Sequence, residues 1–247
     1  MVERNVTVYR RGWVVFVSGF VEPVFYLFSI GVGVGALVGD VAGPAGRTLS
    51  YTAFVAPAML ASSAMNGAVF DSTFNIFHKL RYAKVYDAVL ATPMTPRDVA
   101  LGEVAWALTR GGIYAAAFLV IMTLMGLVGS WWALLVVPAA LLIGFAFAAV
   151  GMAATTYMRS WQDFELVNLA LLPMFLFSAT FYPLQVYPEP LRTLTQLSPL
   201  YHGAALVRGL TTGAVDISAL AHVAVLAVLG VAGVAVASRR LGRLLLR

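Results

Sequence analysis

The side chains that could do chemistry are few and stand apart. Asp71, Asp87, Asp98 and Glu103 form the one acidic group that a lipid-modifying enzyme could use for acid–base work at a membrane face. His78, His202 and His222 have no companion three or four residues away, so the spacing indicates no metal site. Gly129-Ser130 has no glycine-framed nucleophile context, which argues against an intramembrane serine protease. The two lysines, Lys79 and Lys84, do not follow a glycine loop, and G-x-x-x-x-G-K-[ST] does not occur, so ATP binding of that kind is excluded. With no cysteine there are no thiolate ligands, thiol nucleophiles or redox switches.

The elements that must carry these residues explain their scarcity. Of 247 residues, 61% are hydrophobic and 11% charged, and the mean hydropathy is +0.87. A soluble domain carries roughly a quarter charged residues, so the chain reads as a membrane protein. The net charge of +5 includes no basic stretch dense enough to track phosphates, and no nucleic-acid partner is expected. A crossing helix needs about 20 mostly apolar residues. Six stretches qualify: 21–38, 52–69, 104–128, 131–156, 166–182 and 217–237. A β-barrel would show short alternating strands instead. The expected fold is an all-α integral membrane domain over residues 1–247 with six transmembrane helices.

Charge placement orients it. Arg4, Arg10, Arg11, Lys79, Arg81, Lys84, Arg97, Arg159, Arg239, Arg240, Arg243 and Arg247 fall on one side; Arg47, Arg192 and Arg208 fall on the other. By the positive-inside rule both termini are cytoplasmic. A cleaved signal peptide is rejected, because the apolar run after Arg11 is too long and lacks a small-residue cleavage site. Residues 1–20 read as an interfacial amphipathic helix, with a bend at Glu22-Pro23.

Three segments could carry function. Residues 71–103 contain an amphipathic helix over 74–90, ended by Thr92-Pro93 and followed by a helix starting at Thr95-Pro96. It is either a headgroup anchor or a rigid lever offered to a cytosolic partner. Residues 183–216 are too apolar for an exposed loop and too interrupted to span, and they read as a re-entrant extracellular segment or a surface amphipathic helix. Gly31, Gly35 and Gly39 recur every four residues and permit close helix approach, within the chain or at a dimer seam. Inside the spans, Ser62, Asn66 and Asn168 could line a mildly polar path or serve as helix–helix glue. Charged groups at mid-span are not expected. Arg110 is placed within reach of the end of the third span with Glu103 and Trp106, snorkelling outward.

Taken together, several pieces carry a family likeness: Glu22-Pro23-Val-Phe-Tyr-Leu with Gly31-Val-Gly-Val-Gly35, Tyr86-Asp-Ala-Val-Leu-Ala-Thr-Pro93 leading to Asp98-Val-Ala-Leu-Gly-Glu103, Phe177-Ser-Ala-Thr-Phe-Tyr-Pro183, and Leu197-Ser-Pro-Leu-Tyr-His202 running to Gly213. The chain resembles ABC-2 type transporter permeases, most closely those grouped with nodulation lipo-oligosaccharide and daunorubicin-resistance exporters. The resemblance implies a transmembrane subunit of an ATP-driven exporter for an amphiphilic, lipid-like or hydrophobic drug-like cargo, in a bacterial cytoplasmic membrane. It implies a second permease subunit, identical or homologous, and a separate ABC ATPase that holds ATP and Mg, with no cofactor in this chain. It further implies ATPase coupling through Lys79, Arg81, Lys84, Tyr86, Asp87, Thr92, Pro93 and Glu103, and a substrate path near Ser62, Asn66, Asn168, Phe175 and Ser178. An extracellular gate would lie at Phe181, Pro183, Pro199 and His202. The alternatives are a polytopic membrane enzyme acting on a lipid, served by the four acids, and a non-catalytic scaffold.

Overall fold

Helix signals in the sequence set most of the boundaries in the computed structural model, which describes residues 24–245. The interfacial helix expected over 1–20 and the bend at Glu22-Pro23 lie outside the described residues. Helix α1 (Val24–Val38) leads into a small antiparallel hairpin, β1 (Asp40–Ala42) and β2 (Thr48–Ser50), in which Val41 pairs with Leu49. Ser50 caps α2 (Tyr51–Tyr82) by accepting from the Ala53 amide. A short α3 (Val85–Leu90) precedes α4 (Pro96–Leu124), whose start is a capping box between Thr95 and Asp98 with Pro96 in the first turn. Then come α5 (Trp131–Thr155), α6 (Phe164–Leu176), α7 (Glu189–Leu197), α8 (Pro199–Thr212) and α9 (Ser218–Leu245).

Four of these helices, α2, α4, α5 and α9, are long and apolar enough to cross a membrane. The two remaining expected crossings are shorter. Helix α6 has 13 residues, about 20 Å at about 1.5 Å per residue, short of the roughly 30 Å hydrocarbon core. Its helix gives way at Phe177, beyond the internal Pro173, where the backbone leaves helical geometry.

Helix α5 is the centre of the bundle and packs against α2, α4, α8 and α9. Its buried residues are mostly small, Ala139, Ala140, Gly144, Ala146, Ala148, Ala149, Gly151 and Ala153 among them. Small residues let backbones approach, which is how helices associate where lipid removes the hydrophobic drive. A Cβ at Gly233 of α9 would lie 2.7 Å from the Ala149 carbonyl carbon, and one at Gly151 would meet Ser72 Oγ. These are the tight crossings of the fold, and neither falls on the Gly31–Gly35–Gly39 stripe. Gly31 and Gly35 do pack closely, against Thr52 of α2, whose hydroxyl donates to the Gly31 carbonyl. Gly39 packs on no side chain: it has φ +73° and ends α1 in a left-handed turn.

Helix α6 lies at the edge of the bundle, with Val167, Leu171, Met174 and Phe175 turned to the core. Of its residues Phe164 alone is buried, and Leu166, Leu169 and Leu172 are exposed.

Candidate functional site

The expectation that the second crossing ends at Val69 fails in an informative way. Helix α2 continues through π-helical turns at Asp71–Asn75 and His78–Tyr82, which brings its extension alongside the start of α4. There Lys79 Nζ donates to Glu103 Oε2 at 2.7 Å, and Arg110 Nη2 meets Asp71 Oδ1 at 2.5 Å. All four side chains are nearly withdrawn from solvent. Each ion alone would carry a desolvation penalty of several kcal/mol, so burial is tolerable because both are paired. Arg110 therefore does not snorkel toward the Glu103 level; it turns to Asp71. The expectation that the long helices carry no internal charge is corrected by the same pair. Beside it a narrow cleft between α2 and α4 is lined by Leu60, Ser63, Gly67, Asp71, Arg110 and Tyr114.

The amphipathic helix expected over 74–90 is two pieces. Lys84 adopts a left-handed conformation, φ 47°, and breaks the chain between α2 and α3. The first piece is tied down. Arg81 Nη2 donates to the Met158 carbonyl at 3.1 Å, and Phe74, Phe77 and Tyr82 pack with Trp161 and Phe164 from the α5–α6 link. The Phe74–Phe164 ring centroids are 4.6 Å apart and those of Phe77–Trp161 5.1 Å. In the second piece Tyr86 is fully buried, while Asp87, Thr92 and Pro93 are exposed, as is Lys84 at the break. Thr92 Oγ1 donates to the Val89 carbonyl and closes α3.

Of the four acids an enzyme reading would need, Asp71 and Glu103 are consumed in ion pairs, and Asp98 Oδ2 accepts from the Thr95 amide and hydroxyl. Asp87 sits in the first turn of α3. Asp71 and Glu103 lie near each other, each held by a cation, while Asp98 and Asp87 belong to helix starts.

The opposite end is built around Arg208 of α8, which the charge count places on the side away from the cytoplasm. It is buried. Its Nε donates to the Phe54 carbonyl at 3.0 Å, its Nη2 to the Ala179 carbonyl at 2.8 Å, and its guanidinium lies 3.8 Å from the Phe54 ring centroid. No carboxylate forms an ion pair with it among the described residues. Ala179 presents its carbonyl from a left-handed backbone, φ 52°, that a non-glycine residue adopts only when its surroundings impose it.

The expected gate residues cluster around this anchor. Ser178 Oγ lies 2.6 Å from Ser198 Oγ, pinning the turn after α6 to the α7–α8 junction. Phe181 packs edge-on to Phe175 at 5.2 Å; Pro183 precedes a single 3-10 turn, and Pro199 opens α8. The segment expected over 183–216 is therefore two helices broken at Pro199, with α8 buried against α2, α5 and α9. His202 meets His222 of α9, Nδ1 to Nδ1, at 2.7 Å. Sequence spacing gives these histidines no partner, because the pair forms across two helices. No group of three or more potential metal ligands occurs among the described residues.

The path candidates divide. Ser62 and Ser178 are buried within the chain, whereas Asn66 of α2 and Asn168 of α6 are exposed; Phe175 is half-buried. Asp71 enters the sequence reading only with the acids of the enzyme alternative, and Arg110, Trp161, Arg208 and His222 are given no site role in it. A charge placed in helical phase with an apolar run, as Asp71 is, is the signal that marks the first of them.

The profile of the ABC-2 type transporter family matches residues 1–211. Curated relatives include Nodulation protein J of Rhizobium leguminosarum bv. viciae, 31% identical over 91% of this chain and 86% of the relative. Nodulation protein J of Rhizobium leguminosarum bv. trifolii is 33% identical over 84% and 78%, and that of Sinorhizobium fredii 33% over 83% and 77%. With four crossing helices on the page and matches of this extent, the chain belongs to the ABC-2 type transporter family and is a multi-pass membrane protein.

Proposed function

We propose that the chain is the permease subunit of an ATP-driven exporter in a bacterial cytoplasmic membrane. Two copies, or one copy with a homologous permease, are gripped from the cytoplasm by a separate ABC ATPase that supplies ATP and Mg. In this reading α1 and α6 complete six crossings, both termini are cytoplasmic, and α3 with its flanking turns is the piece the ATPase pushes.

The observation that carries the reading is the braced root of that piece. A segment that transmits force needs an exposed tip on a stiff base. Lys84, Asp87, Thr92 and Pro93 are exposed at the tip, while Tyr86, the Lys79–Glu103 and Asp71–Arg110 pairs and the Arg81–Met158 bond fix the base to α4 and to the α5–α6 link. A displacement of α3 then moves rigid helices and not a floppy loop.

The exposed flank of α6, with Leu166, Leu169 and Leu172, supports a second permease there. Asn66 and Asn168, polar and exposed on otherwise apolar helices, support a cargo path on the same side. The low charge of those surfaces favours an amphiphilic cargo over an ion. Phe181, Pro183, Pro199 and His202 close the outward end.

The test is reconstitution in vesicles with the ATPase. Cargo-stimulated ATP hydrolysis and ATP-dependent movement of an amphiphile are expected; a purified chain that modifies lipid with no nucleotide would refute the proposal in favour of the enzyme alternative.

A further inference from the structure

His202, one of the gate residues, is paired with His222 between α8 and α9. His202 and His222 are half-buried, their ring centroids are 5.0 Å apart, and the Tyr201 ring packs edge-on to both. Two nitrogens at 2.7 Å share one proton: one ring donates N–H and the other accepts with its lone pair. That bond survives while the pair is neutral. It also survives one added proton, since a donating imidazolium facing a neutral imidazole makes a charge-assisted bond. It cannot survive two, because both facing nitrogens then carry hydrogen and two cations meet at contact distance.

We propose that His202 and His222 form an acid-released latch that holds α8 against α9 at neutral pH and frees it when both rings are protonated. The proposal deepens the gate reading of this end and rests on it for its meaning in transport.

Of the helices packed on α8 and α9, α5 has no ionisable side chain, α2 contributes Tyr51 alone from its first 20 residues, and α4 carries Arg97, Asp98, Glu103, Arg110 and Tyr114, with Glu103 and Arg110 held in ion pairs. On α8, Tyr201 is the neighbour, and Arg208 is directed to the Phe54 and Ala179 carbonyls. Asp216, which caps α9 by accepting from the Ser218 amide and hydroxyl, keeps its negative charge near His222. From α7 the Gln196 carbonyl accepts a bond from His202, and Glu189 and Arg192 pair with each other.

Burial holds His202 below its ordinary value despite the Gln196 bond. A depressed folded-state value means that the neutral form stabilises the packing. The contribution is complete above the ordinary histidine range and is lost as pH falls through the lowered value. Because the sites are coupled, release follows the second macroscopic step of the pair.

Hydrogen exchange over 199–212, measured on the permease–ATPase complex in lipid nanodiscs at pH 7.5 and pH 5 and corrected for intrinsic chemistry, tests this. Wild-type exchange is expected to rise roughly tenfold at the lower pH. His222→Asn keeps a donor toward His202 but cannot gain a proton, so the step should vanish while protection remains; in the His202→Gln/His222→Gln variant the step should also be absent. A wild type with equal protection at both pH values overturns the latch, and so does a step that persists in either variant. Exchange is read on the chain itself, so a pH step in a protein that does not transport would sink the permease reading and leave the latch standing.

Discussion

The two ends of the bundle bury charge in opposite ways. At the α2–α4 end, Lys79 with Glu103 and Arg110 with Asp71 are cations matched by anions on a neighbouring helix. At the α8 end, Arg208 is held by two backbone carbonyls and an aromatic face, with no acid in an ion pair to it among the described residues. Matched pairs brace two long helices side by side while their axes stay free to move as a unit. A cation on carbonyls fastens backbone to backbone, here α8, α2 and the turn at Ala179, and fixes a position. The first arrangement suits a part that transmits a push, the second a part that must be kept in register.

The difference can be broken by substitution, and the largest effect is expected at the anchor. Arg208→Met keeps bulk but removes the side-chain donors to the Phe54 and Ala179 carbonyls. It should cost about 2–4 kcal/mol, seen as a lower melting temperature in detergent and reduced yield. Arg208→Lys should rescue little, since one ammonium cannot replace a planar fork on two carbonyls and a ring. An unchanged melting temperature in the Met variant would erase the distinction between the ends.

Next in size, Arg110→Met strands Asp71 in a nearly buried site and should cost about 3 kcal/mol. The double variant Asp71→Leu/Arg110→Met removes both charges and should recover most of that loss. No second change of this kind is available for Arg208→Met, because no acid among the described residues forms an ion pair with Arg208. A double-mutant cycle by thermal unfolding reads this directly, and a double variant no better than the single one would count against paired burial.

The smallest effect on stability is expected at the exposed tip. Charge reversal in Lys84→Glu/Asp87→Lys, both exposed, should move the melting temperature little while weakening co-purification of the ATPase; unchanged co-purification would contradict the coupling assignment.

How much of this could be read from residues alone follows the same division. The Thr95-Pro96 start and the break at Pro199 are local signals, and each appears where the sequence puts it. Runs of hydrophobicity do not say where a helix stops if a charge within it is paired. Asp71 looks like the end of a span until Arg110, 39 positions later, is seen to neutralise it. The burial of Arg208 is likewise illegible in the sequence, because its partners are carbonyls that no sequence pattern displays. Spacing rules also miss His202 with His222, which meet across helices, and they favour Gly39, whose role is a turn, over Gly233, whose role is close packing. The ends of α6 were overextended for a related reason. Residues 177–182 are apolar, but Ser178 and the Ala179 carbonyl are claimed by Ser198 and Arg208 and draw the chain out of the helix.

The central claim is that the α3 tip faces the cytoplasm and is gripped there by a separate ATPase. The chain has no cysteine, so Lys84→Cys gives one reactive thiol on a silent background. Labelling it with a membrane-impermeant maleimide in sealed vesicles of known sidedness, with and without the ATPase bound, is the most direct measurement. Reaction from the cytoplasmic face alone, suppressed when the ATPase is present, is the predicted result; labelling from the outside, or reactivity indifferent to the ATPase, would contradict the account.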